Sequence, residues 1–174
     1  MGSPFWNFSI AVYRASAVQD ECLHLQDQFG LDVNLVLLCA FLGAAHGVTP
    51  TPDDIASIRQ EVGQWHEQIV RTLRAARRHL KTIKLQDAET TTAAEKLRMQ
   101  VKAAELDSER IEQTMLECWA NARLAAWPRG KSGDAVVANL QALLSAYGIG
   151  RERVDAARAM QYLIAAALDR TANE

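Results

Sequence analysis

Apolar residues recur along this chain in steps of three and four, the spacing of amphipathic helices. Pro4 can open a first helix running to about Tyr13. Phe5, Phe8 and Val12 line one side of it and Trp6, Ile10 and Tyr13 the other. A helix apolar all round is either buried or covered by a partner. Ser16 is the expected N-cap of a second helix, which faces Val18, Cys22, Leu25 and Phe29 inward and stops at Gly30. Asp32 then caps a third helix through Leu35, Leu38, Cys39 and Leu42 to about Ala45. Val36, Leu37, Ala40 and Phe41 fill its other faces, so it belongs at the centre of the fold.

The run Thr49-Pro50-Thr51-Pro52-Asp53-Asp54 is strong punctuation: Thr51 as N-cap, Pro52 at the first helical position, and two carboxylates complementing the helix dipole. Beyond it come Ile55, Ile58, Val62, Trp65, Ile69, Leu73, Ala76, Leu80 and Ile83. Their spacing averages about 3.5 residues, the coiled-coil period. A polar stretch from Gln86 to Thr92 makes a turn, and a second seam follows at Leu97, Val101, Ala104, Ser108, Ile111, Met115, Cys118, Ala122 and Ala125. The two seams predict a long antiparallel helical hairpin over about 52–85 and 94–127, in which either the tip projects or the first helix bends, with Gly63 as the bend point. After the break at Trp127-Pro128-Arg129-Gly130, a sixth helix carries Val137, Leu140, Leu144 and Tyr147. A last one carries Val154, Ala157, Leu163, Ile164, Ala167 and Leu168. The expectation is an all-α fold of about seven helices. It forms a single domain over 1–174, with short N-terminal helices around a buried third helix and the hairpin at 52–127 within it.

Composition sharpens this picture. A chain of 174 residues with only 9 Gly and 4 Pro can bury a core and favours helices. The net charge of −2 gives no global attraction to nucleic acid or to an anionic membrane. The three cysteines, Cys22, Cys39 and Cys118, lack a C-x-x-C pairing and read as small core residues in a reducing compartment. The N-terminus has no basic leader, Trp6 breaks the myristoylation pattern, and the apolar run Val33 to Ala45 falls short of the roughly 20 residues a bilayer needs. A cytoplasmic location with no membrane partner is expected.

Candidate chemistry is sparse. Gly130-Lys131-Ser132 has Ala125 where a phosphate-binding loop needs glycine, and a helix rather than a strand precedes it. His24, His46, His66 and His79 form no H-E-x-x-H. Cys39 and His46 can share a helix face, but two ligands do not make a zinc site. No catalytic residue, metal ligand or cofactor is assigned, and the sequence leans away from an enzyme without deciding the matter.

Two features need explaining. Arg71, Arg74, Arg77, Arg78, Lys81 and Lys84 form a cationic run without an acidic residue, and Arg71, Arg74, Arg78 and Lys81 share one face. If the hairpin turns near residue 90, Arg71 lies by Glu109, and Arg74 by Glu105 and Asp107, so the stripe sets helix pairing. The other readings are a protein-facing patch and a phosphate-backbone patch. Secondly, Asp27 opposes the dipole at the end of its helix, and Asn34 stands in the first turn of a greasy one. Either they hydrogen-bond orphan amides as a structural joint, or Gln26, Asp27 and Asn34 converge beside Trp6 as a recognition surface.

These same residues carry a resemblance. Phe5-Trp6-Asn7-Phe8-Ser9 with Tyr13, then Cys22-Leu23-His24-Leu25-Gln26-Asp27 and Gly30-Leu31-Asp32-Val33-Asn34-Leu35, are similar to the pattern F-W-x-F-S…Y…C-L-x-L-Q-D-x-x-G-x-D-V-N-L of an uncharacterised family of small proteobacterial proteins, a domain of unknown function. The resemblance spans about the first 45 residues and implies a bacterial cytoplasmic protein without an established activity. The leading expectation is therefore a helical protein–protein interaction or regulatory adaptor, whose partner is another protein; a homodimer suits the same seams. An RNA- or ribosome-associated factor using the basic stripe comes second. A small-molecule binder or enzyme with a polar pocket near Trp6, Gln26, Asp27 and Asn34 comes third.

Overall fold

The computed structural model describes residues 2–172. It is 77% helical and has no strand among them, only an isolated bridge between Val48 and Arg129. The helices are α1 (Pro4–Tyr13), α2 (Val18–Phe29), α3 (Val33–His46), α4 (Pro52–Trp65), α5 (Arg71–Thr82), α6 (Ala88–Asn121), α7 (Ser132–Ala146), α8 (Ala156–Ala159) and α9 (Gln161–Ala172). A π-helical turn, His66–Val70, joins α4 to α5. No helix among the described residues is long and apolar enough to cross a membrane. The chain divides into two compact units: Met1–Glu61 with Gln113–Glu174, and Val62–Glu112.

In the first unit α3 is the core. Every residue from Asn34 to Ala44 is buried, as its lack of a polar side requires. Phe5 and Phe8 of α1 meet Phe41 at ring separations of 5.4 and 5.2 Å. Gly43 lets α7 approach: a Cβ there would stand 2.5 Å from the Val136 nitrogen. Behind it, fully buried Asn139 donates from Nδ2 to the carbonyls of Cys39 (3.1 Å), within α3, and Val48 (2.9 Å), just after it. Two helix starts are completed from far along the chain. The Phe5 amide donates to Glu117, and the Tyr162 and Leu163 amides donate to the two carboxylate oxygens of Glu21.

Several boundaries differ from the sequence reading. The second helix starts at Val18 from Ala17 in a left-handed conformation (φ 67°), so Ser16 is not its cap. The return helix starts at Ala88, where Asp87 accepts from the Thr90 amide at 2.8 Å; the supposed polar turn from Gln86 is mostly helix. That helix ends at Asn121 rather than near 127, and the last helix is split in two at Met160. The irregularity in the outgoing rod falls after Gly63, at the π turn.

That turn has a consequence for the Val62–Glu112 unit. A π turn fits one extra residue into the helix, so apolar positions beyond it rotate off their expected face. Val70 is fully buried in place of Ile69, which is 38% exposed. On α6 the predicted seam is displaced as well. Ser108 keeps its predicted buried place, but Glu105 and Glu112 are buried, whereas Leu97 and Ile111 are each 48% exposed. The face α6 turns inward here is polar, because its carboxylates answer cations on the rod opposite.

Candidate functional site

Two polar assemblies stand out, one in each unit. In the first unit it surrounds the start of α3. Asp32 is its N-cap, with Oδ1 accepting from the Asn34 amide at 2.8 Å, as the sequence predicts. The Asp32 amide donates to the hydroxyl of Tyr147 at 3.2 Å. The Arg59 guanidinium lies 3.8 Å above the Tyr147 ring and donates to the Ala146 carbonyl. Burial and the nearby Asp32 carboxylate push the Tyr147 phenol up to about 12, so the hydroxyl that accepts from the Asp32 amide stays neutral near neutral pH. Buried Gln113 donates from Nε2 to Asn34 Oδ1 at 2.9 Å, while its Oε1 accepts no hydrogen bond among the described residues.

Of the four residues singled out beside this joint, Asn34 is buried against Gln113, half-buried Gln26 accepts from the Gly30 amide through its backbone carbonyl, Asp27 is exposed, and Trp6 is half-buried in α1. The sequence reading missed Arg59, Gln113 and Tyr147. Their distance along the chain hides them, although Gln113 is a polar residue inside a helix expected to be packed.

In the Val62–Glu112 unit the assembly is an ionic seam. Arg74 donates from Nε to Glu105 (3.1 Å) and from a terminal nitrogen to Glu109 (2.5 Å), and Arg77 forks onto Glu105. The Trp65 indole donates to the Ser108 carbonyl at 3.0 Å. His66, in the π turn, places Nδ1 3.1 and 3.4 Å from the carboxylate oxygens of Glu112. Burial works to raise Glu105, but hydrogen bonds from Arg77 and Arg74 outweigh it and hold this carboxyl below its usual value. For Glu109 burial wins against Arg74, and its pKa is raised.

The expected opposition of Arg74 and Glu105 is present, whereas Arg71 does not reach Glu109. It pairs at 2.7 Å with Glu67, one turn back on its own rod, and both side chains are largely exposed. Arg78 and Lys81 are exposed. Glu112 was expected among the acids facing the basic run, but its pairing with His66 was not; the signal is the break in the apolar repeat at Ser108, with Glu105 and Glu112 seven residues apart flanking it.

Outside this seam the same unit leaves Ile69, Ile83, Leu85, Leu97, Met99, Leu106 and Ile111 exposed. Leu97, Ala104 and Ile111 follow one another at heptad spacing along α6. No curated protein and no solved structure matches this chain. Residues 4–116 match the family described as "Protein of unknown function (DUF2390)", and the chain belongs to that family.

Proposed function

We propose that this protein is a helical interaction module, an adaptor or regulator in the bacterial cytoplasm, which binds another protein through the outer faces of its Val62–Glu112 unit. One observation carries the reading. The unit buries Glu105 and Glu112 beside Val62 and Val70, ties Arg74 and Arg77 to inner carboxylates, and leaves Ile69, Ile83, Leu85, Leu97, Met99, Leu106 and Ile111 exposed. Single exposed apolar residues are ordinary, but a group of them on one short unit marks an interaction surface. The heptad line Leu97, Ala104, Ile111 has the periodicity by which one helix receives another.

The basic stripe offers less. Arg74 and Arg77 are tied to carboxylates and Arg71 is paired with Glu67, which reduces the charge available to a phosphate backbone.

The test compares full-length wild type with L97E/I111E as baits at low and high salt, with light-scattering mass measurements of each. The reading expects a stoichiometric partner, or a second copy of this chain, that is held by the wild type and lost from the double variant. An inert wild-type monomer, or a partner retained equally by the variant, refutes it.

A further inference from the structure

Glu112 is fully buried, and a carboxyl group removed from water needs polar partners there. One group placed against it is the His66 imidazole, brought in by the π turn and 13% exposed along its side chain. His66 Nδ1 lies 3.1 Å from one carboxylate oxygen and 3.4 Å from the other. Two ligand atoms bound to one cation at ~2.1 Å stand ~3.0 Å apart at a right angle and ~3.4 Å apart at a tetrahedral angle. The spacing therefore suits adjacent ligands of one metal ion as well as it suits a hydrogen bond.

We propose that His66 and Glu112 are two of the ligands of a divalent transition-metal site built between the facing helical segments of the Val62–Glu112 unit, with water completing the coordination that two side chains alone do not supply. Bundles assemble metal sites in this way, from carboxylates and imidazoles on facing helices. A neutral imidazole nitrogen with a carboxylate oxygen favours zinc, manganese, iron(II) or cobalt(II) over the oxygen-seeking calcium and magnesium. The π turn contributes by carrying His66 inward at the place where the helical repeat is interrupted, and such turns gather at functional sites. Partial exposure of the imidazole gives the ion a route from solvent. This site is independent of the docking surface proposed above.

The competing state is an ion pair between protonated His66 and Glu112, and the two are separable. Full-length protein, stripped with chelator, is titrated with cobalt(II) and zinc(II) by calorimetry and by visible absorption of cobalt. The site predicts uptake of a single equivalent, a cobalt spectrum without thiolate charge transfer, and metal-induced displacement of the His66 Nδ1 resonance in the wild type. H66Q and E112Q should each weaken binding at least about tenfold, whereas H24Q and H79Q leave it unchanged. No uptake at millimolar metal, or uptake unaffected by both H66Q and E112Q, overturns the proposal and leaves the ion pair. Should E112Q unfold, H66Q and the wild-type imidazole resonance still decide.

Discussion

Replacing Arg74 by leucine probes the ionic seam at its most shared residue. An exposed ion pair is worth ~0.2–1 kcal/mol, whereas removing one partner of a buried pair costs ~3–5 kcal/mol. Here the side chains of Arg74, Glu105 and Glu109 are 16%, 8% and 26% exposed, close to the buried limit. Glu105 keeps Arg77, so R74L strips Glu109 fully and Glu105 only in part. A loss of about 2 kcal/mol follows, below the buried limit because solvent still reaches Glu109. R74L/E109L removes both members of that pair and should cost less than R74L alone, under about 1 kcal/mol, since apolar replacement of a buried pair is often near neutral. Urea unfolding at pH 7 gives both values, and hydrogen exchange of the α5 and α6 amides locates the loss. If R74L costs under about 0.5 kcal/mol, or the two substitutions simply add, the seam behaves as surface charge and the argument fails. Acid gives a further check. The pKa of Glu105 is lowered on folding, so its contribution is complete above 4.5 and fades as pH drops through the folded value.

Burial pushes the thiols of Cys22 and Cys39 up to about 12, and Cys118 is exposed. Iodoacetamide at pH 8 should therefore label only Cys118 in the native chain and all three after unfolding, by intact mass; native labelling of a second thiol would contradict this. At the α3–α7 crossing, G43A would press a methyl group into the Val136 backbone, costing about 3 kcal/mol and lowering Tm by roughly 10 °C; a change under about 2 °C would mean the helices part freely. Burial, then the Arg129 charge, lowers His46 below 6.5, so stability declines as pH falls from 6.5 towards the folded value. R129Q should raise the His46 pKa in an NMR titration and shrink that decline; an unmoved titration would remove Arg129 from the account.

Helix identity was legible because it is local. Asp32, Thr51 with Pro52, and Gly30 do what their side chains dictate within one turn of chain, and the greasy run from Asn34 to Ala44 has nowhere to go but inside. Face assignment past His66 was not legible. A π turn leaves little mark in composition, and one inserted position is enough to exchange Ile69 for Val70. On α6 a rule that gathers apolar positions selected Ile111, whereas the buried residue is its neighbour Glu112, set against His66. The joint at Asn34 was visible as an anomaly, but its partners Gln113 and Tyr147 arrive from 79 residues further for the first and through Asp32, 115 residues away, for the second.

The borrowed carboxylates at the starts of α1 and α9 bear on how the polypeptide matures. Phe5 waits for Glu117, 112 positions later, and Glu21 cannot meet Tyr162 until 141 more residues have been made. During synthesis the leading segments thus emerge long before the groups that secure them, and closures across such separations are slow. Trimming the tail of this chain would undo the anchorage of its beginning.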